Sequence, residues 1–165
     1  MPRLFTALEI PHEAALSLSL LRGGLPGARW VEDLLATAGQ RDQRELAGFH
    51  LERARRHYEQ RRDREAAEDV NRSLFLEPYQ GEAHLLAARI HLRGGRPTEA
   101  IDALRIALWS AETAEVHAVL AEALVATGDR EAAQRSAERA LALDPGSSAA
   151  RDVLQQVERG TPSPP

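Results

Sequence analysis

Cysteine and lysine are both absent from the 165-residue sequence, and each absence limits what the protein can do. Without cysteine the chain has no disulfide, no thiol nucleophile and no cysteine-ligated zinc. All 21 basic residues are arginine, a side chain better suited to interfaces than lysine. Aromatic residues make up only 4% of the chain. Alanine and leucine must therefore supply most of the packing, which favours close helix–helix contact over a thick sheet core.

Strong net charge and long apolar runs are also missing. The net charge is −4 and the pI is near 5.9, so the chain as a whole does not attract nucleic acid or an anionic membrane. No apolar run approaches the roughly 18 residues needed to span a bilayer. Glu9, Pro11 and His12 interrupt the first apolar stretch, unlike a secretory signal. We predict a cytoplasmic protein that binds neither nucleic acid nor membrane.

Small residues recur at offsets of 33 or 34 between residues 47 and 147. Three units, 47–80, 81–113 and 114–147, each contain two helical patterns joined by a short turn. Alanine or serine occupies three equivalent positions in every unit: Ala54, Ala88 and Ala121, then Ala66, Ala100 and Ala133, then Ser73, Ala107 and Ala140. Small residues at fixed positions indicate paired helices whose backbones approach closely.

Glycine and proline mark the ends of these helical patterns. Gly95 and Gly128 end the first helices of units two and three, where a left-handed residue is favoured. Pro78 and Pro145 lie where the second helices of units one and three must stop. The pattern predicts three consecutive helical hairpins.

This period and this placement of alanine, glycine and proline resemble the tetratricopeptide repeat, most closely in unit three. Two turn positions depart from the family pattern: Arg61 replaces the turn glycine and Glu112 replaces the terminal proline. Histidine stands at three positions where the family often has tryptophan: His50, His84 and His117. The resemblance implies a mainly α, right-handed solenoid of three hairpins.

A further helical pattern at 148–159 places apolar residues on one face: Ala150, Val153, Leu154 and Val157. A solenoid needs such a helix to cover its last hairpin. We therefore predict a repeat domain with a capping helix over 47–159, a polar linker at 33–46 in which a short helix could form, and a disordered tail at 160–165.

Residues 1–32 do not fit the repeat. RLFTALEI and ARWV are typical of strands and HEAALSLSLLRGG of a helix, so we predict a small βαβ-like or poorly ordered segment. RLFTALEIP and LPGARWV resemble the opening of the RNA 2′,3′-cyclic phosphodiesterase family, which implies two His-x-Thr/Ser motifs for acid–base chemistry. None of the six histidines has Thr or Ser two positions later. We predict no catalytic residue and no enzyme activity.

The resemblance to tetratricopeptide repeats implies that the first helices line a concave face, with the fifth, ninth, twelfth and thirteenth positions of each unit directed into it. Seven of these positions form the predicted partner-binding groove: Leu51, Arg55, Tyr58, Leu85, Arg89, Leu92 and Arg93. The remaining position of unit one is Glu59, and unit three contributes Ala118, Glu122, Val125 and Ala126. Arginine, tyrosine and leucine together are typical of binding surfaces and suit an acidic or amphipathic peptide. A solvated arginine face is the alternative interpretation.

Some tetratricopeptide proteins clamp a C-terminal carboxylate with lysine and asparagine at set positions. Those positions hold other residue types here: Leu51, Arg55, Leu86, Glu115 and Val119. We therefore do not expect a clamp of that kind.

Histidine and tryptophan could suggest further sites. His50 and His57, like His84 and His91, are seven residues apart, roughly 10 Å along a helix and too far for one metal ion. We expect packing histidines and predict no metal and no cofactor. The basic run at 53–64 has acidic neighbours and arginines on several faces, which is unlike a nucleic-acid segment. Trp109 is predicted to pack against unit three.

These observations favour a protein-interaction module that binds a peptide or partner helix in its groove. The alternative is an inactive or truncated cyclic-phosphodiesterase relative with appended repeats. Self-association through exposed apolar faces of the three units is a third possibility.

Overall fold

A computed structural model describes the backbone over residues 28–160 and the side chains from residue 36 to residue 159. The chain divides into two compact units, 1–43 and 44–165. Regular structure in the described part is entirely helical: α1 (Ala28–Glu59), α2 (Asp63–Leu76), α3 (Gly81–Arg93), α4 (Pro97–Ser110), α5 (Ala114–Thr127), α6 (Arg130–Leu143) and α7 (Ser148–Gly160). From residue 44 onwards, three helical hairpins and a seventh helix follow in order, which confirms the predicted solenoid.

The start of α1 corrects one expectation. ARWV (28–31) was predicted as a strand but lies within α1. Residues 33–46, predicted as a linker in which a short helix could form, are helical throughout. Residues 28–46 contain no proline and are rich in alanine, leucine, glutamate, glutamine and arginine, which all favour the helix. The other elements predicted for 1–32 lie outside the described residues. Of the tail predicted at 160–165, Gly160 is the last residue of α7 and 161–165 lie outside the described residues. The proposed domain limits stay predictions.

The repeated small residues pack where the hairpins meet. All nine of them are at most 1% exposed, as the close approach of paired helices requires. Larger apolar side chains such as Leu104 and Val70 fill the space between the helices. This confirms the interpretation of the repeat as a packing pattern.

The turn inside each hairpin needs one residue in the left-handed region. Gly95 has φ of 69° and Gly128 has φ of 87°, as predicted. In the first hairpin the same place is taken by Arg61, with φ of 62°. The departure from glycine changed the residue type but not the turn.

Helix α7 covers the last hairpin. Its apolar face buries Ala150, Val153 and Val157 against small residues of α5 and α6, including Ala121 and Ala137. The predicted capping helix is therefore confirmed.

The prediction that Trp109 packs against unit three is wrong. Its side chain is 74% exposed and meets Tyr79 edge to face, with the ring centroids 5.2 Å apart. The buried stripe of α4 passes through Leu104 and Ala107, and position 109 is turned about 200° from Ala107 around the helix. The ring consequently faces away from the hairpin contact.

No helix in the part of the chain that the structure describes has both the length and the apolarity to cross a bilayer.

Candidate functional site

Helices α1, α3 and α5 line two adjoining cavities of about 550 and 380 Å³. Tyr58, Arg89 and Glu115 border both cavities, so the two form one surface. We call this surface the groove. The larger cavity continues onto the loop after α6 and the start of α7, at residues 144 and 146–149.

Six of the seven residues predicted for the groove lie there: Arg55, Tyr58, Leu85, Arg89, Leu92 and Arg93. Leu51 does not, because only 3% of it is exposed and it packs with Ala54 and Val70 in the core of the first hairpin. Leu51 continues the buried stripe of Ala47 and Ala54, four residues before and three residues after it. Its assignment to the groove surface was wrong, and a partner role for the other six stays a prediction.

Two of the groove arginines connect neighbouring first helices. Arg55 in α1 pairs with Glu52 of its own helix and with Glu82 of α3. Arg89 in α3 donates to Glu115 of α5 over 2.6 Å. These arginines therefore already have carboxylate partners within the chain.

Arg93 is held more tightly than the other two. Its guanidinium lies 3.5 Å from the centroid of the Tyr58 ring, and Nη1 donates to the Tyr58 carbonyl oxygen (2.9 Å) and to Asp63 Oδ1 (2.7 Å). Only 22% of the side chain is exposed. Arg93 thus fixes α3 against the end of α1 and the start of α2, beside the ring of Tyr58.

Acidic residues outnumber basic ones along the groove. Three arginines line it against five carboxylates, a balance of −2: Glu59, Glu82, Glu115, Glu122 and Asp144. Sequence reasoning did not bring Asp144 to the groove, because the repeat positions concern first helices only. The groove is mildly acidic despite its arginines.

Glu122 lies one turn after Ala118 on α5, and no hydrogen bond or ion pair within the described residues reaches its carboxylate. Neighbouring groove residues partly desolvate this carboxyl and raise its pKa, although the residue as a whole is exposed. Arg89 acts in the opposite direction and Asp152 adds to the increase. An unpaired, partly desolvated carboxylate is therefore part of the groove lining.

The five histidines among the described residues do not line the groove. His84 Nε2 is 2.8 Å from the carbonyl oxygen of Pro78, and His117 Nε2 is 2.9 Å from Glu112 Oε1. His50 Nδ1 is 3.3 Å from Asp69 Oδ1. No group of three or more potential ligands in the described residues could hold a metal ion.

Asp69 is the most deeply buried carboxylate of the first hairpin, at 2% exposure. Arg53 Nε donates to its Oδ2 over 2.7 Å and Arg72 Nη1 donates to its Oδ1 over 3.2 Å. The hydrogen bonds from Arg53, opposed by burial and assisted by His50, lower the pKa of Asp69 to about 2. This cluster joins α1 to α2 and belongs to the fold rather than to the groove.

A family model described as a tetratricopeptide repeat matches residues 51–115, which run from the first hairpin to the start of the third. No curated protein matches the chain. None of these findings supports the cyclic-phosphodiesterase resemblance of residues 1–32.

Solved structures share the fold. The first tetratricopeptide domain of Spaghetti (RPAP3), bound to an HSP90 peptide, has a TM-score of 0.68 and 19% identity over 70% of this chain and 93% of that one. The Arabidopsis OM64 tetratricopeptide domain has a TM-score of 0.69 and 13% identity over 72% and 99%. YrrB, described as having an unusual peptide-binding site, has a TM-score of 0.64 and 20% identity over 75% and 66%. The repeats of this chain therefore have the tetratricopeptide fold.

Proposed function

We propose that this protein is an interaction module whose groove binds a peptide or a helix of a partner protein, and that it is not an enzyme. The groove carries the proposal, because three successive first helices form one elongated surface in which half-buried Leu85 and Leu92 lie between charged side chains. Solenoids of this kind present extended concave surfaces for binding. Two of the structures with the same fold are described by their peptide binding.

The groove suits an amphipathic partner segment. Its apolar patches would cover apolar side chains of the partner, while its charged rim would fix the orientation. We do not expect a carboxylate clamp, because three of the positions used for it hold Leu51, Leu86 and Val119, whose side chains cannot donate a hydrogen bond. A cytoplasmic location remains the expectation drawn from composition.

A random peptide library displayed on phage, selected on the full-length protein, tests this proposal. We expect synthesised versions of the selected peptides to bind wild type and to lose about tenfold or more in affinity on Leu92→Arg, because a charge would replace apolar contact area in the larger cavity of the groove. Leu143→Arg provides the matched control, since Leu143 is exposed outside the groove. Far-UV circular dichroism checks that both variants keep their helices. Peptides weakened by Leu143→Arg and indifferent to Leu92→Arg would place binding elsewhere.

A further inference from the structure

The arginines of the groove have partners within the chain, but not all of its carboxylates do. Arg55 and Arg89 each form an ion pair that bridges two helices, and Arg93 is held by Asp63 and the Tyr58 ring. Within the described residues no hydrogen bond or ion pair reaches the carboxylates of Glu59 and Glu122. The arginines of the groove are therefore committed within the chain, whereas two carboxylates are not, and Glu122 is the one that lines the larger cavity.

Glu122 and Arg89 both line the larger cavity. Arg89 lies near enough to oppose the rise in the pKa of Glu122, but its guanidinium donates to Glu115. Ala118, one turn before Glu122 on α5, and Leu92 on α3 provide apolar surface in the same cavity. Ala149, at the start of α7, extends that surface to the other side. A bound segment would therefore meet apolar contacts around one carboxylate.

We infer that Glu122 receives a basic side chain, arginine or lysine, from the partner segment, with apolar residues of the partner on either side of it. This inference rests on the proposed function and specifies the partner: an amphipathic peptide or helix with a central positive charge. The balance of −2 along the groove lining is complementary to such a partner.

The chemistry of the pair favours recognition. A carboxylate and a guanidinium or ammonium group form charge-assisted hydrogen bonds that are stronger than neutral ones. Glu122 is an exposed residue, but its neighbours in the groove remove part of the water around the carboxyl and so raise its pKa. Because part of the desolvation is present before binding, a partner cation would gain more here than at an open surface.

An acidic partner would gain less. To bind Arg89, a partner carboxylate would have to replace Glu115, which accepts from that guanidinium over 2.6 Å. One ion pair would then be exchanged for another, and Glu115 would be left beside the added negative charge. The same holds for Arg55 and its two glutamates.

The peptides selected on the full-length protein provide the test. We expect them to be enriched in arginine or lysine between apolar residues. Glu122→Gln should weaken binding on the order of tenfold, and Glu122→Lys should weaken it further, since a charge-assisted hydrogen bond is lost and then replaced by repulsion. Glu131→Lys is the matched control, because its side chain is 92% exposed on α6 outside the groove.

A double-mutant cycle identifies the contact. Replacing the basic residue of the peptide with glutamine should cost affinity in wild type and nearly nothing in Glu122→Gln. Peptides that depend on Leu92 but bind Glu122→Lys equally well, or better because they are acidic, would overturn this inference and leave the proposed function in place. Peptides that bind without depending on Leu92 would overturn the proposed function itself.

Discussion

One backbone angle at each hairpin turn decides which residue fits there. Glycine reaches φ near +70° at no steric cost, but an L side chain in the left-handed region costs about 1–2 kcal/mol. Arg61 adopts φ of 62° because the hairpin on either side of it imposes the turn. The repeat alignment predicted this position from Gly95 and Gly128, since the same packing requires the same turn.

Arg61→Gly should therefore stabilise the protein. We expect the free energy of unfolding to rise by about 0.5–1 kcal/mol, since relief of the strained φ exceeds the greater freedom of glycine in the unfolded chain. Urea unfolding followed by circular dichroism measures the difference. Gly128→Ala should change stability in the opposite direction by about 1 kcal/mol, because φ is 87° there and an added Cβ meets no atom within 4 Å. A loss of stability in Arg61→Gly would show that the arginine side chain itself stabilises the turn.

The groove residues show what repeat positions can and cannot predict. Arg55, Arg89 and Leu92 lie where the repeat resemblance placed them, because the geometry of first helices is conserved by their packing. The prediction for Leu51 was wrong because the apolar face of α1 that packs in the core includes this position, so Leu51 is buried. Ion pairing between helices could not be predicted either, since it depends on side-chain conformations that follow from three-dimensional neighbours.

At the scale of elements, α1 and α2 are joined by polar contacts as well as by packing. Ser73, which replaces the alanine of the other hairpins, donates its hydroxyl to the carbonyl oxygen of Ala47 over 2.9 Å. Asp69 accepts from Arg53 beside it. Sequence patterns identified the helices of this hairpin through small residues, but the helical continuation of α1 towards Ala28 was missed, because tryptophan and valine there also favour strands.

Asp69 makes the stability of this hairpin depend on pH. The pKa of Asp69 is about 2 in the folded protein against an ordinary value of 3.8, so its stabilisation is complete above about pH 4 and is lost as pH falls towards 2. Asp69→Asn should lower the free energy of unfolding by about 2 kcal/mol at pH 7 and by much less near pH 2. Urea unfolding at both pH values measures the change.

Asp102→Asn is the matched control for this substitution. Asp102 is exposed and pairs with Arg105 over 3.3 Å on the surface of α4, so we expect a change below about 0.5 kcal/mol at either pH. Equal losses in the two variants, or a loss in Asp69→Asn that does not depend on pH, would contradict the role given to the buried carboxylate.

At the scale of the whole repeat array, which begins at residue 44, each hairpin packs on the next. Helix α7 packs on α5 and α6 and ends the array. Stability in such arrays is approximately a sum over hairpins and the interfaces between neighbours. The sequence predicted this order well, because a repeated packing pattern requires a repeated structure. Residues outside the repeat offered no such internal evidence.

Damage to the capping helix should therefore remain local. Val153 is 3% exposed at the contact between α7 and the last hairpin, and Val153→Asp would bury an unpaired charge there. Hydrogen–deuterium exchange should show protection lost in α5 and α6, with α1 and α2 much less affected. Gln155→Asp, on the exposed side of α7, should leave exchange unchanged. Uniform loss of protection from residue 44 onwards would show that the array unfolds as one cooperative block.

On the proposed function, the number of hairpins also sets the length of the segment that the groove can bind. Every hairpin adds one first helix to the lining, and neighbouring helices pack about 8–10 Å apart. Three first helices therefore correspond to a bound segment of only a few extended residues per helix. Duplicating residues 81–113 in place would add one first helix to the groove and leave both ends of the repeat array as they are.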